Sequence, residues 1–274
     1  MKRMRNAIIL LDRERPKVPY KEVKRLLESS GLRVVTNKPD FGIVVGGDGL
    51  FSFYGRSENM PLLFVGVRSS SLTESKAHLA ATYMEELPSS VNMILEGRYT
   101  VLSFPRLDVK LNGRKVGSVF TDAYIQRGAE SNCIRYMVEI ENSGLLTKEY
   151  AIGDGFVVCT RAGSTGYFSY LDKIRSGDNL EPDKFTLIGE NEIGLCHIVP
   201  TYTEREEQKI HPLRYTVPIN TRIKIRLMRE ADARLYGVVK TRSGIKIGFK
   251  DRIEIEKSNK VTKVIKLGPM KPPL

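Results

Sequence analysis

A change in hydrophobic periodicity near residue 99 constrains the fold most. Before it, buried strand patterns at Ala7–Leu11, Phe41–Val45 and Leu62–Val67 alternate with helical patterns such as Tyr20–Leu27. Strands that alternate with helices are typical of a parallel sheet, because each parallel connection needs a crossover. We therefore predict a Rossmann-like α/β domain over residues 1–98.

The second half of the chain changes to a period of two, in which apolar and polar residues alternate. Four segments show this pattern: Leu107–Leu111, Tyr136–Ile140, Ile223–Leu227 and Arg252–Glu256. Turn signals such as Asn112-Gly113 separate them, as antiparallel hairpins require. We predict a β-rich, β-sandwich-like domain over 99–258, followed by a C-terminal segment, 259–274, that packs back on the first domain or frays.

One further helix is predicted before this boundary. Ala77, Ala80, Ala81 and Met84 share a helical face. Proline lacks an amide hydrogen and clashes with the preceding turn of a helix. We therefore expect this helix to stop before Pro88.

The sequence Gly46-Gly47-Asp48-Gly49 follows the apolar run Phe41–Val45 directly. In an open α/β sheet, the carboxyl ends of the strands form the ligand crevice. Glycines there allow a sharp turn and leave N–H groups able to approach a phosphate, and a carboxylate beside them can accept a proton from a hydroxyl. The motif indicates phosphoryl transfer; the alternative is that Asp48 only caps a helix and the glycines only turn the chain.

A second glycine- and hydroxyl-rich turn lies in the β-rich half. A strand at Gly153–Cys159 leads into Thr160–Tyr167, which supplies several N–H and O–H donors and ends in an aromatic ring. Donors and a flat ring together suit a nucleotide, whose base stacks on the ring. The alternative is a Ser/Thr helix cap after a strand.

In this order and on these two kinds of domain, the motifs resemble those of the NAD kinase family. That family carries GGDG on an N-terminal α/β domain, and DG with TPTGSTAY on a β-rich C-terminal one. The segment from Gly97 to Leu107 is similar to the family's entry into the second domain, and His211-Pro212-Leu213 is similar to its later HPL segment. The resemblance extends over most of the chain.

The resemblance implies an NAD kinase-like fold and a defined reaction. The terminal phosphoryl group of ATP, or of polyphosphate, passes to the 2′-hydroxyl of the adenosine ribose of NAD and gives NADP. The implied general base is Asp48, and the implied phosphate-binding residues are Gly46, Gly47 and Gly49. Because a loose phosphoryl-transfer transition state needs positioning and charge neutralisation, a divalent metal is implied, with Mg²⁺ carried by ATP.

The resemblance also implies which residues bind NAD. They are Thr121, Asp122, Asp154, Ala162, Thr165, Gly166, Tyr167 and His211. Asp154 is implied to lie near the nicotinamide ribose or amide, often presented from a neighbouring subunit.

Several substrate contacts depart from the family pattern. Thr121-Asp122 stands where the family has an Asn-Glu pair for adenine and ribose, so the carboxylate is one methylene shorter and a hydroxyl replaces an amide. Arg161-Ala162 replaces Pro-Thr in the second motif, and Tyr236-Gly237 falls where Asp-Gly is common. The Asp48 turn is unchanged. We therefore predict retained catalysis with altered nucleotide contacts.

The charge balance favours anionic small molecules. The formal charge of +12 comes from 44 basic and 32 acidic residues, which suits nucleotides or polyphosphate. Within Arg222–Leu227 the basic residues alternate with apolar ones, which predicts a solvated strand face and no nucleic-acid partner. Arg56 and Arg68 are candidates for offsetting phosphate charge, although each also fits a surface role.

The three cysteines and three histidines exclude two other classes of site. No CxxC pair occurs, so we predict neither a disulfide framework nor a zinc site. No run of about 18 apolar residues occurs, so we expect a soluble cytoplasmic protein without a membrane partner.

The implied partners are NAD with ATP or polyphosphate, and the implied assembly is a homodimer or homotetramer. Two other functions stay open: a kinase of the same superfold with another acceptor alcohol, and a nucleotide-binding regulatory protein with weak or no catalysis. Tyr167 favours a dinucleotide over a lipid. Formation of NADP from NAD distinguishes the first function from the other two.

Overall fold

The computed structural model describes residues 4–12, 14, 18–68, 77–129, 132–171, 188–239 and 243–268. The chain divides into two compact units, the first formed by Met1–Phe104 with Val261–Leu274 and the second by Pro105–Lys260. The first unit mixes helices and strands, and the second is built mainly from strands. The predicted fold class, an N-terminal α/β domain and a C-terminal β-rich domain, is confirmed.

The first unit is a parallel sheet with three α-helices among its described residues. Its elements are β1 (Asn6–Leu10), α1 (Tyr20–Ser29), β2 (Arg33–Val34), β3 (Phe41–Gly46), α2 (Asp48–Ser57), β4 (Leu62–Gly66), β5 (Thr82–Tyr83) and α3 (Leu87–Leu95). The sheet order is β2-β1-β3-β4, with β5 paired to β4, and all these pairs are parallel. Strands β3 and β4 are buried along their whole length, as inner strands of a parallel sheet are.

The amphipathic pattern of α1 explains how it packs. Val23 and Leu27, one turn apart, are fully buried in one cluster with Ile43 of β3 and Val91 of α3. The chain then turns at Gly31, whose φ of +94° suits a glycine just after a helix. Of the apolar residues in the predicted helical segment, Val23 and Leu27 face the core, whereas Tyr20 is exposed.

The helix predicted from Ala77 to Met84 is wrong. Residues 77–80 form a turn, Thr82–Tyr83 pair with β4, and α3 begins only at Leu87, with Pro88 in its first turn. Proline is tolerated there because the first amides of a helix have no intrahelical acceptor. The residue expected to end a helix stands at the start of one.

The second unit consists of two antiparallel sheets. Its strands are β6 (Tyr99–Leu111, from Pro105 onward), β7 (Arg114–Val119), β8 (Asp122–Arg127), β9 (Ile134–Asn142), β10 (Leu145–Gly153), β11 (Gly155–Cys159), β12 (Glu192–Ile198), β13 (Tyr202–Arg205), β14 (Arg214–Pro218), β15 (Arg222–Leu227), β16 (Ala233–Tyr236), β17 (Ile245–Ile247) and β18 (Ile253–Leu267, as far as Lys260); the outer parts of β6 and β18 belong to the first unit. Strands β13, β10, β9, β15 and β18 pair in this order, and β14, β12, β11, β8, β16 and β17 form the other sheet.

The inner faces of the two sheets share one core. Val138 and Ile223 of the first sheet lie in the same buried cluster as Val158 and Leu195 of the second. The chain passes from β10 to β11, and so from one sheet to the other, at Gly153-Asp154-Gly155. This crossing places the aspartate of the second motif at a sheet corner.

The basic strand face predicted at Arg222–Leu227 is confirmed as the outer side of β15. Its apolar residues are buried, whereas Arg222 pairs with Glu256 (3.1 Å) and Lys224 with Glu141 (3.1 Å) across the neighbouring strands. Acidic partners on the same sheet therefore balance this basic run.

The sequence predicts that the C-terminal segment 259–274 packs on the first domain or frays. Its residues up to Leu267 form the end of β18, where Val264 pairs in parallel with Leu62 of β4. Residues 269–274 lie outside the described residues. Among the described residues, no helix is both long enough and apolar enough to cross a bilayer.

Candidate functional site

The Asp48 turn lies at the carboxyl end of β3, at the crevice edge of the parallel sheet. Gly47 is the N-cap residue of α2, with an extended backbone (φ −118°, ψ −179°). Its carbonyl oxygen accepts the N–H groups of Leu50 (3.0 Å) and Phe51 (3.1 Å), which starts the helix. Asp48 is therefore the first helical residue, where the positive end of the helix dipole favours a carboxylate.

Two backbone amides hold the Asp48 carboxylate in place. The N–H of His78 donates to Oδ2 (3.1 Å), and the N–H of Leu79 donates to Oδ1 (2.9 Å). Each oxygen keeps a further lone pair with which it can accept a substrate hydroxyl. Sequence reasoning missed this contact because the donors lie 30 and 31 residues away and are main-chain groups.

The glycines of the turn have different reasons for being glycine. A Cβ on Gly46 would lie 2.8 Å from Cδ2 of Leu50, whereas a Cβ on Gly49 would meet no atom within 4 Å. Packing therefore accounts for Gly46 but not for Gly49. Gly49 leaves open space in the first turn of α2.

The two arginines considered as phosphate partners already have local contacts. Arg68 forms an ion pair with Glu86 (3.0 Å) and lies over the ring of Tyr83 (4.7 Å from its centroid). Arg56 lies over the ring of Phe53 (5.5 Å), and burial lowers the pKa of its guanidinium. Each arginine therefore has a structural role in the first unit.

In the second unit, the turn after β11 is held against the start of β8. Asp122 lies opposite Cys159 in the paired strands. The N–H of Thr160 donates to the carbonyl of Thr121 (2.8 Å), and its hydroxyl donates to the carbonyl of Phe120 (2.6 Å). Residues from two separated motifs are thereby brought together.

Two glycines allow the backbone to close around Asp122, and a third lies beside its carboxyl. A Cβ on Gly163 would lie 2.5 Å from the main-chain carbonyl oxygen of Thr121. A Cβ on Gly237 would lie 2.2 Å from the main-chain carbonyl oxygen of Asp122. Gly237 also has φ +89°, which favours glycine. Gly166 is at the carboxyl itself, since its Cβ would stand 3.6 Å from Oδ2 of Asp122. The predicted NAD-binding residues Thr121, Asp122 and Gly166 are thus neighbours.

The carboxyl of Asp122 is in an environment that disfavours its charge. Burial among protein atoms raises its pKa, and only the hydroxyl of Thr121, which donates to Oδ1 (3.0 Å), opposes this effect. A protonated carboxyl can both donate and accept a hydrogen bond. Asp122 is therefore suited to recognition rather than to proton abstraction.

A cluster of three tyrosines adjoins Asp122. Tyr124 packs edge-on against Tyr167 (centroids 5.0 Å apart) and stacks on Tyr236 (5.1 Å, 17° between planes). Burial first, and then the charges of Tyr167 and Asp122, raise the pKa of Tyr124, so its hydroxyl keeps its proton. Tyr167 remains 37% exposed, so its ring is accessible to a planar ligand. Tyr124 was missed from sequence, although strand alternation places it on the same face as Asp122.

The other predicted residues of this turn occupy supporting places. Ala162 is buried in the short 3₁₀ turn Arg161–Gly163, and the Thr165 carbonyl accepts the hydroxyl of Ser169 (2.9 Å). Arg161, which replaces the proline of the resembling motif, pairs with the exposed Glu190 (3.0 Å).

Asp154 and His211 lie away from the Asp122 group. Asp154 precedes β11, whereas Asp122 pairs with Cys159 at the other end of that strand, five residues or about 16 Å further along at about 3.3 Å per residue. Its carboxylate forms an ion pair with Arg127 (2.8 Å). The Nδ1 group of His211 bonds to the carbonyl of Thr203, on the strand next to β10. The predicted NAD-binding residues therefore form two groups at opposite ends of β11.

Comparison with known proteins finds similarity to NAD kinases. No family model matches the chain. An NAD kinase from Picrophilus torridus is 26% identical over 147 residues, which are 54% of this chain and 51% of that protein. An NAD kinase from Natranaerobius thermophilus is 29% identical over 251 residues, which are 88% of this chain and 78% of that protein. These similarities support a divergent member of the NAD kinase family.

A solved structure shows the same NAD kinase fold. The crystal structure of an NAD kinase from Archaeoglobus fulgidus in complex with ATP has a TM-score of 0.64 at 19% identity, over 96% of this chain and 93% of that one. The sequence matches to the first curated NAD kinases are shorter, and this chain spans about half of their length. The Asp48 and Asp122 turns therefore belong to a fold that this chain shares with an NAD kinase.

Proposed function

We propose that this protein transfers the terminal phosphoryl group of ATP, or of polyphosphate, to the 2′-hydroxyl of the adenosine ribose of NAD, giving NADP. The observation that carries the proposal is the position of Asp48 in a member of the NAD kinase family. Its carboxylate begins a helix at the carboxyl end of a parallel sheet, and two amides fix both of its oxygens. That is a preorganised acceptor for a hydroxyl proton.

On this proposal, Asp48 is the general base and the glycines admit phosphate. The N–H groups of His78 and Leu79 hold the plane of the carboxylate while a lone pair accepts the 2′-hydroxyl proton. The open space at Gly49 lets a phosphate approach the first turn of α2, where N–H groups favour anions. Gly46 and Gly47 shape the turn that leads into it.

The metal part of the proposal is Mg²⁺ carried by ATP. Among the described residues, no group of three or more His, Cys, Asp or Glu side chains is arranged to hold a metal ion. Mg²⁺ is commonly bound by one or two carboxylates together with substrate phosphates, which fits a site whose carboxylate is Asp48. The ion would neutralise phosphate charge that Asp48 alone would repel.

The acceptor nucleotide would be recognised by the Asp122 group. The exposed ring of Tyr167 would stack on a base, supported from behind by Tyr124. Burial raises the pKa of Asp122, and in its protonated form this carboxyl offers one donor and one acceptor, as an amide does. We infer that it takes over part of the role of the amide that the family has at this place.

The proposal extends to a homodimer or homotetramer in the cytoplasm. The distance along β11 between the Asp122 group and Asp154 supports an assembly in which a second copy supplies Asp154 and His211 to a dinucleotide. Ion pairing with Arg127 would hold the Asp154 side chain ready for that role.

The test is a direct assay of the product. Purified protein is incubated with NAD, Mg²⁺ and either ATP or polyphosphate, and NADP is measured with an NADP-specific dehydrogenase. We expect NADP to form with at least one donor. Turnover of a different alcohol, or calorimetric NAD binding without turnover, would replace the proposal by one of the two alternative functions.

A further inference from the structure

A buried polar network joins the two sheets of the second unit beneath the Gly153-Asp154-Gly155 crossing. At its centre Glu149 of β10 is fully buried. Its carboxylate accepts bonds from Arg205 (2.8 Å to Nε), the Tyr215 hydroxyl (2.7 Å) and Nε2 of His197 (3.2 Å). His197, on β12, is also fully buried. Nothing in the proposed reaction uses these groups.

The network continues from His197 to the crossing through Tyr136 of β9. The Tyr136 hydroxyl lies 2.8 Å from Nδ1 of His197 and donates to the carbonyl of Gly155 (2.6 Å). A tyrosine has one hydroxyl proton, and here it is on the side of Gly155. Nδ1 of His197 must therefore donate to the Tyr136 oxygen. Since Nε2 faces a carboxylate, it must carry a proton as well.

The charges of the network agree with a doubly protonated His197. Burial raises the pKa of Glu149, but donors from His197, Tyr215 and Arg205 outweigh it and bring the pKa below its usual value. Glu149 is therefore a carboxylate that faces the guanidinium of Arg205 and the ring of His197. Burial, followed by the charges of Cys196 and Glu149, raises the pKa of Tyr136, so the hydroxyl keeps its proton.

The end of this chain of hydrogen bonds is next to a predicted substrate residue. A Cβ on Gly155 would lie 2.0 Å from the Ile125 oxygen, so the backbone there has no freedom to accept a side chain. The main chain of Asp154 is bonded on both sides, from its N–H to Ile198 (2.9 Å) and from Arg127 to its carbonyl (2.8 Å). The Tyr136 hydroxyl adds a third hydrogen bond, to the carbonyl of the next residue, Gly155.

We propose that Tyr136 and His197 are positioning residues for the Asp154-Gly155 turn. Doubly protonated His197, held by Glu149, aims the Tyr136 hydroxyl at the Gly155 carbonyl, and this bond sets the direction of the Asp154 side chain. The consequence for catalysis rests on the proposed NAD phosphorylation, because there Asp154 contacts the dinucleotide. The proton arrangement itself is independent of that function.

A matched pair of variants tests the positioning role. Tyr136→Phe removes the hydroxyl that reaches Gly155, and Tyr215→Phe removes a hydroxyl from the far end of the same network. We expect the KM for NAD to rise about tenfold in the first variant, the size expected for losing one buried hydrogen bond, with the KM for ATP unchanged. We expect the second variant to keep the KM for NAD. Equal changes of KM in both variants, or none in either, would contradict a positioning role, because a merely structural network lowers stability without this selectivity.

A second measurement uses the wild-type chain and does not depend on activity. Nuclear magnetic resonance of protein with ¹⁵N-labelled histidine reports the protonation of both ring nitrogens, and His197→Gln identifies the resonance among only three histidines. We expect both nitrogens of His197 to carry protons at neutral pH. A neutral ring would overturn the inference even if Tyr136→Phe fails to fold.

Amide exchange separates this inference from the proposed function. We expect the Asp154 and Gly155 amides to exchange faster in Tyr136→Phe than in Tyr215→Phe. If that holds and wild-type protein makes no NADP, the positioning role stands and the proposed substrate is wrong. If wild-type protein makes NADP and exchange at the turn is unchanged, the positioning role is wrong.

Discussion

Asp48 in the first unit and Asp122 in the second are both carboxylates beside glycine turns, yet their surroundings differ. Asp48 accepts two backbone amides at the start of a helix, and both features stabilise negative charge. Asp122 has one hydroxyl donor and a buried setting that raises its pKa. The number of hydrogen-bond donors at each carboxylate, rather than the residue type, distinguishes the two settings.

With the proposed roles, the difference also accounts for the substitutions that the chain carries. The Asp48 turn keeps the pattern of the resembling family, whereas the Asp122 turn has Thr121-Asp122 and Arg161-Ala162 in place of other residues. A base needs one carboxylate in one geometry. A nucleotide can be held by several combinations of donors and rings, so recognition tolerates exchange.

The largest expected effect comes from Asp48→Asn. Loss of a general base lowers kcat by about 10²–10⁴-fold, while binding of NAD, measured by calorimetry, stays close to wild type. The amide can keep only one of the two backbone N–H bonds, so its NH₂ group would face the other donor. Asp122→Asn, the same exchange in the second unit, is the control and should lower kcat far less. Equal losses of kcat would erase the distinction between the two carboxylates.

Tyr167 tests the recognition side of the comparison. Tyr167→Ala should weaken NAD binding about tenfold, because stacking of a base on an aromatic ring contributes about 1–3 kcal/mol. Tyr167→Phe keeps the ring and should bind nearly as wild type. A large fall in kcat at saturating NAD in Tyr167→Ala would show that Tyr167 contributes to the reaction itself and not only to the binding of NAD.

Gly49 tests the binding of the phosphate donor, ATP, beside Asp48. The added methyl of Gly49→Ala would meet no atom within 4 Å. Alanine in a helix is about 1 kcal/mol more favourable than glycine, so the unfolding temperature should not fall. If phosphate approaches there, the added methyl should raise the KM for ATP severalfold. Gly46→Ala is the contrast, since its methyl meets Leu50 and should lower the unfolding temperature. An unchanged KM for ATP in Gly49→Ala would remove this glycine from the phosphate site.

The smallest expected effect is on stability against pH. Because the folded-state pKa of Asp122 is raised, folding favours its neutral form, and this contribution is present at low pH and lost as pH rises through the folded pKa. Asp122→Asn cannot ionise. The unfolding temperature of Asp122→Asn, relative to that of wild type, should therefore increase as the pH rises from about 4 to about 7, a range near and above the usual pKa of an aspartate. If the difference in unfolding temperature between Asp122→Asn and wild type is constant over this pH range, Asp122 is charged in the folded protein.

Local patterns predicted much of the fold because each reports which side of an element is buried. The period of two in Ile223–Leu227 corresponds to a strand with one buried face, and the apolar run Phe41–Val45 to a strand buried throughout. Pro88 shows the limit of such reasoning. Proline is compatible with the first turn of a helix and incompatible with its interior, and only the packing of Leu87 and Val91 in the core decides between them.

The sequence by itself determined that Asp48 follows a buried strand in a glycine turn, and that Tyr167 ends a turn rich in donors. Tertiary structure decided that His78 and Leu79 hold Asp48, that Tyr124 supports Tyr167, and that Asp154 lies at the other end of β11 from Asp122. The physical reason is the range of the interactions. Turns and buried faces follow from neighbours along the chain, whereas these contacts depend on strand register and on the sheet crossing at Asp154.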